Sequence, residues 1–160
     1  DMYFQIGAHP AFNYPDYDLD KKERGYFSFD RTEGLECIRI VGKGCVDAVT
    51  KHPLELDEQG RYPLADDTFD VIDTLMLQDS QLKRVTLHRV DGSPWLSLDF
   101  TAPVVGLWSP PTKNAPFICI EPWYGRCDRA GYTGDYREKD WVNCLAPSAT
   151  FSTVYTITLH

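Results

Sequence analysis

A chain of 160 residues, 42% hydrophobic and 13% aromatic, carries enough apolar material for one globular domain or a large piece of one, which excludes a disordered or collagen-like polymer. Its 24 acidic and 16 basic residues leave a formal charge of −8, a field that repels phosphate backbones and anionic lipid surfaces, so neither nucleic acid nor membrane is an expected partner. No apolar run approaches the roughly 20 residues that a bilayer-crossing helix needs, and no stretch reads as a basic-then-apolar leader.

Period-two alternation dominates the chain, and no ten-residue stretch shows a clear helical stripe. The first residues, Asp1 to Ile6, read as the middle of a strand, and "GAHPAF" (Gly7 to Phe12) then holds a histidine between a small pair and a proline. Strands are predicted at Gly25–Phe29, Leu35–Val41, Thr74–Leu77, Val104–Trp108 and Phe117–Glu121. Arg84–Val90 and Trp95–Phe100 flank Asp91-Gly92-Ser93-Pro94, whose Asp-Gly step suits a hairpin turn. The final run, Thr150–Leu159, places Phe151, Tyr155, Ile157 and Leu159 on one face and Ser and Thr on the other. Lys21, Lys22 and Arg24 read as a solvated basic cluster, and Asp66, Asp67, Asp70 and Asp73 as a solvated loop lacking the residue order of a calcium site. Strands in this number need a second layer to bury their apolar faces, so the expected fold class is all-β, an antiparallel β-sandwich with less than roughly a tenth helix. A barrel is the alternative.

The five cysteines (Cys37, Cys45, Cys119, Cys127, Cys144) include no CxxC pair and no histidine at zinc-ligand spacing, so no metal is expected. Free thiols fit a reducing, cytoplasmic setting, with two disulfides plus a spare thiol as the alternative. In "FICIEPWYGRCD" (Phe117 to Asp128) an apolar strand ends in Glu121 beside Trp123 and Tyr124. Burial there raises a carboxyl toward the range of a general base, unless Glu121 pairs with Arg126 or Arg129 at the sheet rim. Lys139 or Arg126 is within reach of a ligand anion on this reading.

"FQIGAHPAFN" (Phe4–Asn13), "FDVIDTLML" (Phe69–Leu77), "GLWSPPTKNAPFICIEPWYGRCD" (Gly106–Asp128) and "EKDWVNCLAPSATFSTVYTITL" (Glu138–Leu159) together resemble the aldose 1-epimerase (galactose mutarotase-like) family, in its LacX-like branch. The match runs in order along nearly the whole chain, and the HPxF and IEPWYG blocks are specific in combination. The resemblance implies a β-supersandwich and the interconversion of α- and β-anomers of aldohexoses without a cofactor. By motif, Glu121 matches the base that takes the anomeric proton and His9 the acid that protonates the ring oxygen. Asp73 matches an acidic position that binds sugar hydroxyls, and Phe12, Trp108 and Trp123 are candidate stacking faces for the sugar. Pro10 restricts the backbone of His9 toward extended geometry, and Gly7 and Ala8 either leave room for the sugar or relieve packing.

The resemblance also implies that residues 1–160 are a single domain or the C-terminal half of a longer sandwich, whose N-terminal half is a missing partner and brings further substrate contacts. Two functions compete from sequence, an epimerase completed by that half and a non-catalytic carbohydrate-binding or scaffold fragment on the same fold, with a dimerising β module as a third reading.

Overall fold

A computed structural model describes residues 1–160. In chain order the elements are β1 (Met2–Phe4), β2 (Ile6–Gly7), β3 (Ala11–Asn13), β4 (Glu23–Phe29), β5 (Glu36–Gly42), β6 (Cys45–Pro53), β7 (Arg61–Ala65), α1 (Thr68–Ile72), β8 (Thr74–Leu77), β9 (Arg84–His88), β10 (Pro94–Phe100), β11 (Val104–Trp108) and β12 (Phe117–Tyr124). A 3₁₀ turn (Tyr136–Glu138), β13 (Asn143–Leu145) and β14 (Tyr155–Leu159) complete the chain. Strands take 46% of the residues and helix 5%, in keeping with the alternation.

Two antiparallel sheets form the sandwich. One has five strands in the order β14-β10-β9-β4-β7; the other has seven, β2-β12-β11-β8-β5-β6 with β3 also paired to β12. β1 and β13 make a separate two-stranded ribbon. Period two explains the core. Phe27, Val85, Leu87 and Leu98 from the first sheet meet Leu75, Leu77, Val105, Leu107, Ile118 and Ile120 from the second in one buried cluster. The intervening residues of the seven-stranded sheet, Thr74, Met76, Gly106, Trp108, Cys119, Glu121 and Trp123, occupy its outer face.

Several local expectations change. The final strand begins only at Tyr155; Phe151 leaves the sheet and packs edge-on between Phe4 and Tyr124, 5.2 Å from each ring. Tyr155, Ile157 and Leu159 remain 41, 43 and 75% exposed, because β14 is an edge strand with no layer over it. The Asp66–Asp73 stretch is not a loop throughout: burial of Phe69 folds one helical turn, with Asp67 at its N-cap and Asp73 at its C-cap. Arg24 is not solvated. It is buried, donates to the Lys21 carbonyl and to Asn114 Oδ1 at 2.6 Å each, and lies over the Tyr17 ring, whereas Lys21 and Lys22 are exposed. Strands β3, β6, β7 and β13 lie outside the predicted set; β7 contains Pro63, whose missing N–H is tolerated at a sheet edge.

Leu107 is fully buried at the centre of the sandwich. Leu107→Ala is expected to cost about 2–5 kcal/mol in urea unfolding, while Val49→Ala, at a position 87% exposed, should stay within about 0.5 kcal/mol.

Candidate functional site

A cleft of about 520 Å³ opens on the outer face of the seven-stranded sheet, within the size range of small-molecule sites. Its wall includes Ala8, His9, Thr74, Met76, Glu121, Trp123 and Arg126. The heart of the site follows from strand register. β12 pairs with β3 at one end (Cys119 opposite Ala11) and with β2 at the other (Trp123 opposite Gly7). That common register places His9 opposite Glu121, in the gap between β2 and β3. The gap is bridged on both sides, by Ala8 N–H donating to the Pro122 carbonyl at 3.0 Å and Ile120 N–H to the Pro10 carbonyl at 3.3 Å. His9 Nε2 lies 3.4 Å from Glu121 Oε2, and its ring meets Trp108 edge-on at 5.7 Å.

The two side chains differ sharply in environment: 61% of the His9 side chain is exposed but only 4% of Glu121. Burial pushes the Glu121 carboxyl up to about 7, and the Trp123 side chain, which favours the ionised form, offsets only part of that effect. Neither arginine considered as a partner reaches it. Arg126 and Arg129 both pair with Asp140, and Arg126 also donates to the Cys127 carbonyl at 2.9 Å. Lys139 is held by Asp128 at 2.9 Å. Glu121 therefore keeps a raised pKa instead of being neutralised in a rim ion pair.

Trp123 lines the cleft and lies across two glycines. A Cβ at Gly106 would come within 2.6 Å of the indole Cη2, and one at Gly7 would collide with Cδ1. Gly7 is thus small for the sake of Trp123, the packing alternative rather than direct room for a sugar. Asp73 is exposed, outside the cleft wall, with left-handed backbone (φ 59°); its Oδ1 accepts from the hydroxyl of Thr74, which does line the cleft. Phe12 is a correction: it sits opposite Ile118, on the core face, and packs against the central cluster away from the cleft. Arg126, named from sequence as a residue able to reach a ligand anion, does line the cleft, whereas Thr74, Met76 and Cys119 escaped the sequence reading as site residues. For Cys119 the signal was available, since it is two residues before Glu121 and shares its face; its thiol is fully buried and pushed up to about 12 by that burial.

The fold is a galactose mutarotase-like β-sandwich. Over 99% of its length the chain matches a galactose mutarotase-like protein from Lactobacillus casei (27% identity, TM-score 0.84) and a galactose mutarotase related enzyme from Lactobacillus acidophilus (29%, TM-score 0.78). In sequence it is similar to the plasmid and chromosomal LacX proteins of Lactococcus lactis subsp. lactis, each 30% identical over 160 residues. The chain spans about half the length of these relatives, 52% of the LacX proteins and 52–54% of the solved chains. No protein-family model matches it. The resemblance drawn from the HPxF and IEPWYG blocks thus holds at the level of sequence relatives and of fold.

The raised carboxyl has a stability consequence. Below the unfolded-chain value of about 4.5, Glu121 is protonated in both states and costs nothing; between there and about 7 the unfolded chain ionises first, so stability falls as pH rises. Above that window the cost reaches at most about 3 kcal/mol. Glu121→Gln is expected to gain stability relative to wild type between pH 4 and pH 8, read as a growing difference in Tm.

Proposed function

We propose that the protein carrying this chain is an aldose 1-epimerase acting on aldohexoses by general acid–base ring opening. The observation that carries this reading is the His9–Glu121 pair, 3.4 Å apart at the cleft, with the carboxyl desolvated and free of any arginine. Anomerisation needs a base at the O1 hydroxyl and an acid at the ring oxygen O5. Both oxygens are bonded to C1, so the two protein groups must lie close together and reach the same end of the sugar.

In the forward step ionised Glu121 takes the O1–H proton while protonated His9 gives its proton to O5. The C1–O5 bond breaks, its electron pair goes to O5, and a C1 carbonyl forms. Rotation about C1–C2 presents the other carbonyl face; the O5 hydroxyl then attacks C1, returning its proton to His9 as Glu121 reprotonates O1. Every proton taken is given back, and no cofactor enters. Trp123 offers an apolar face for sugar C–H groups, Trp108 steadies the imidazole, and Thr74 with Asp73 offers polar contacts at the rim. The other half of the longer protein is assigned the remaining substrate contacts and the cover for the exposed apolar residues of β14. Five free thiols favour a cytoplasmic setting.

Polarimetry of α-glucose and α-galactose with the intact protein tests the reading. Glu121→Gln is expected to lower kcat by about 10²- to 10⁴-fold with KM little changed, and His9→Asn to do the same. Wild-type kcat/KM should rise with pH as Glu121 ionises near pH 7. Near wild-type turnover by Glu121→Gln would make the non-catalytic carbohydrate-binding fragment the better account.

A further inference from the structure

Three different donor side chains meet where His9 and Glu121 line the cleft and the buried Cys119 lies behind its wall. The imidazole of His9, the thiol of Cys119 and the carboxylate of Glu121 each offer a ligand atom, and these atoms all lie within 4.8 Å of one another. Cys119 and Glu121 are alternate residues on one face of β12, and strand register supplies His9 from across the gap.

A tetrahedral zinc ion has bonds of about 2.0–2.1 Å to nitrogen or carboxylate oxygen and about 2.3 Å to sulfur, which separates an N,O pair of ligands by about 3.3 Å and an S,N pair by about 3.6 Å. His9 Nε2 and Glu121 Oε2 already stand 3.4 Å apart, the first of these spacings. The sulfur must close by at most about 1.2 Å. His9, whose side chain is 61% exposed, has room to tilt and take up part of that adjustment, whereas the thiol and carboxylate sit on an interior strand. A thiolate and a carboxylate balance the charge of a divalent ion, so the buried wall gains no net charge. Three protein ligands leave a fourth position open toward the cleft.

We propose that His9, Cys119 and Glu121 form a binding site for a thiophilic divalent cation of the zinc class. On binding, a sulfur–metal bond forms as the Cys119 S–H proton leaves to solvent, His9 binds through its ring lone pair, and one Glu121 oxygen completes the set. The site stands on the donor geometry and does not depend on the epimerase reading. If that reading holds, the ion removes acid and base together and competes with sugar.

The test uses Cd²⁺ alone, titrated into the intact reduced protein and followed by the ultraviolet thiolate-to-cadmium charge-transfer band, a readout blind to turnover. One equivalent is expected to bind and to be displaced by Zn²⁺. Cys119→Ala should abolish that equivalent. His9→Ala, which alters an exposed side chain and leaves the core untouched, should weaken it at least about tenfold, the smallest loss expected even for a group that only supports a ligand. Absence of the band in the wild type, or a band of unchanged affinity in both variants because Cys45, Cys127 or Cys144 binds instead, overturns the proposal. A wild-type protein that is active in polarimetry but binds no Cd²⁺ refutes this inference alone, and Cd²⁺ binding without mutarotation refutes only the epimerase reading.

Discussion

The phase of β12 is the constraint on which the site depends. Ile118 and Ile120 are fully buried between the sheets, and burying each contributes about 1.5–3 kcal/mol. A one-residue slip would send both to the outer face and turn Cys119, Glu121 and Trp123 into the core. The two isoleucines together match or exceed the roughly 3 kcal/mol that ionised Glu121 costs. Hydrophobic burial on one face therefore holds a destabilised carboxylate on the other, and sheet packing sets the chemistry of the cleft.

On the segment paired with β12 the decisive device is an interruption. A continuous strand opposite β12 would pair residue by residue; here Pro10, with no N–H to donate, falls between β2 and β3, and backbone bonds at Ala8 and Ile120 close the ladder around it. His9 stays in register with Glu121 while its side chain remains exposed. An exposed base would sit near an ordinary carboxylate value, so burial of Glu121 beside the exposed His9 suits a complementary pair. The Trp123 indole, bedded on Gly7 and Gly106, closes the cleft beside them.

The architecture was legible because it is written in a local code. Period-two alternation located β4, β5 and β8 to β12 closely, the Asp-Gly step located the β9–β10 hairpin, and Gly92 indeed has left-handed backbone (φ 86°). Local patterns failed where context overrode them. Proline is tolerated in β7 only because that strand is an edge, and the aspartate-rich stretch becomes helical because Phe69 finds the core.

By itself the sequence determined the fold class, the resemblance to galactose mutarotase-like proteins, and the prominence of His9 and Glu121, because strand alternation and short motifs depend on near neighbours along the chain. Only the tertiary structure decided that Arg126 and Arg129 turn to Asp140 and leave Glu121 without a cation, that Phe12 faces the core, and that Cys119 joins His9 and Glu121 at one point. Those outcomes depend on register between distant strands and on the competition of several cations for one carboxylate, and neither is encoded in the spacing of residues along the chain.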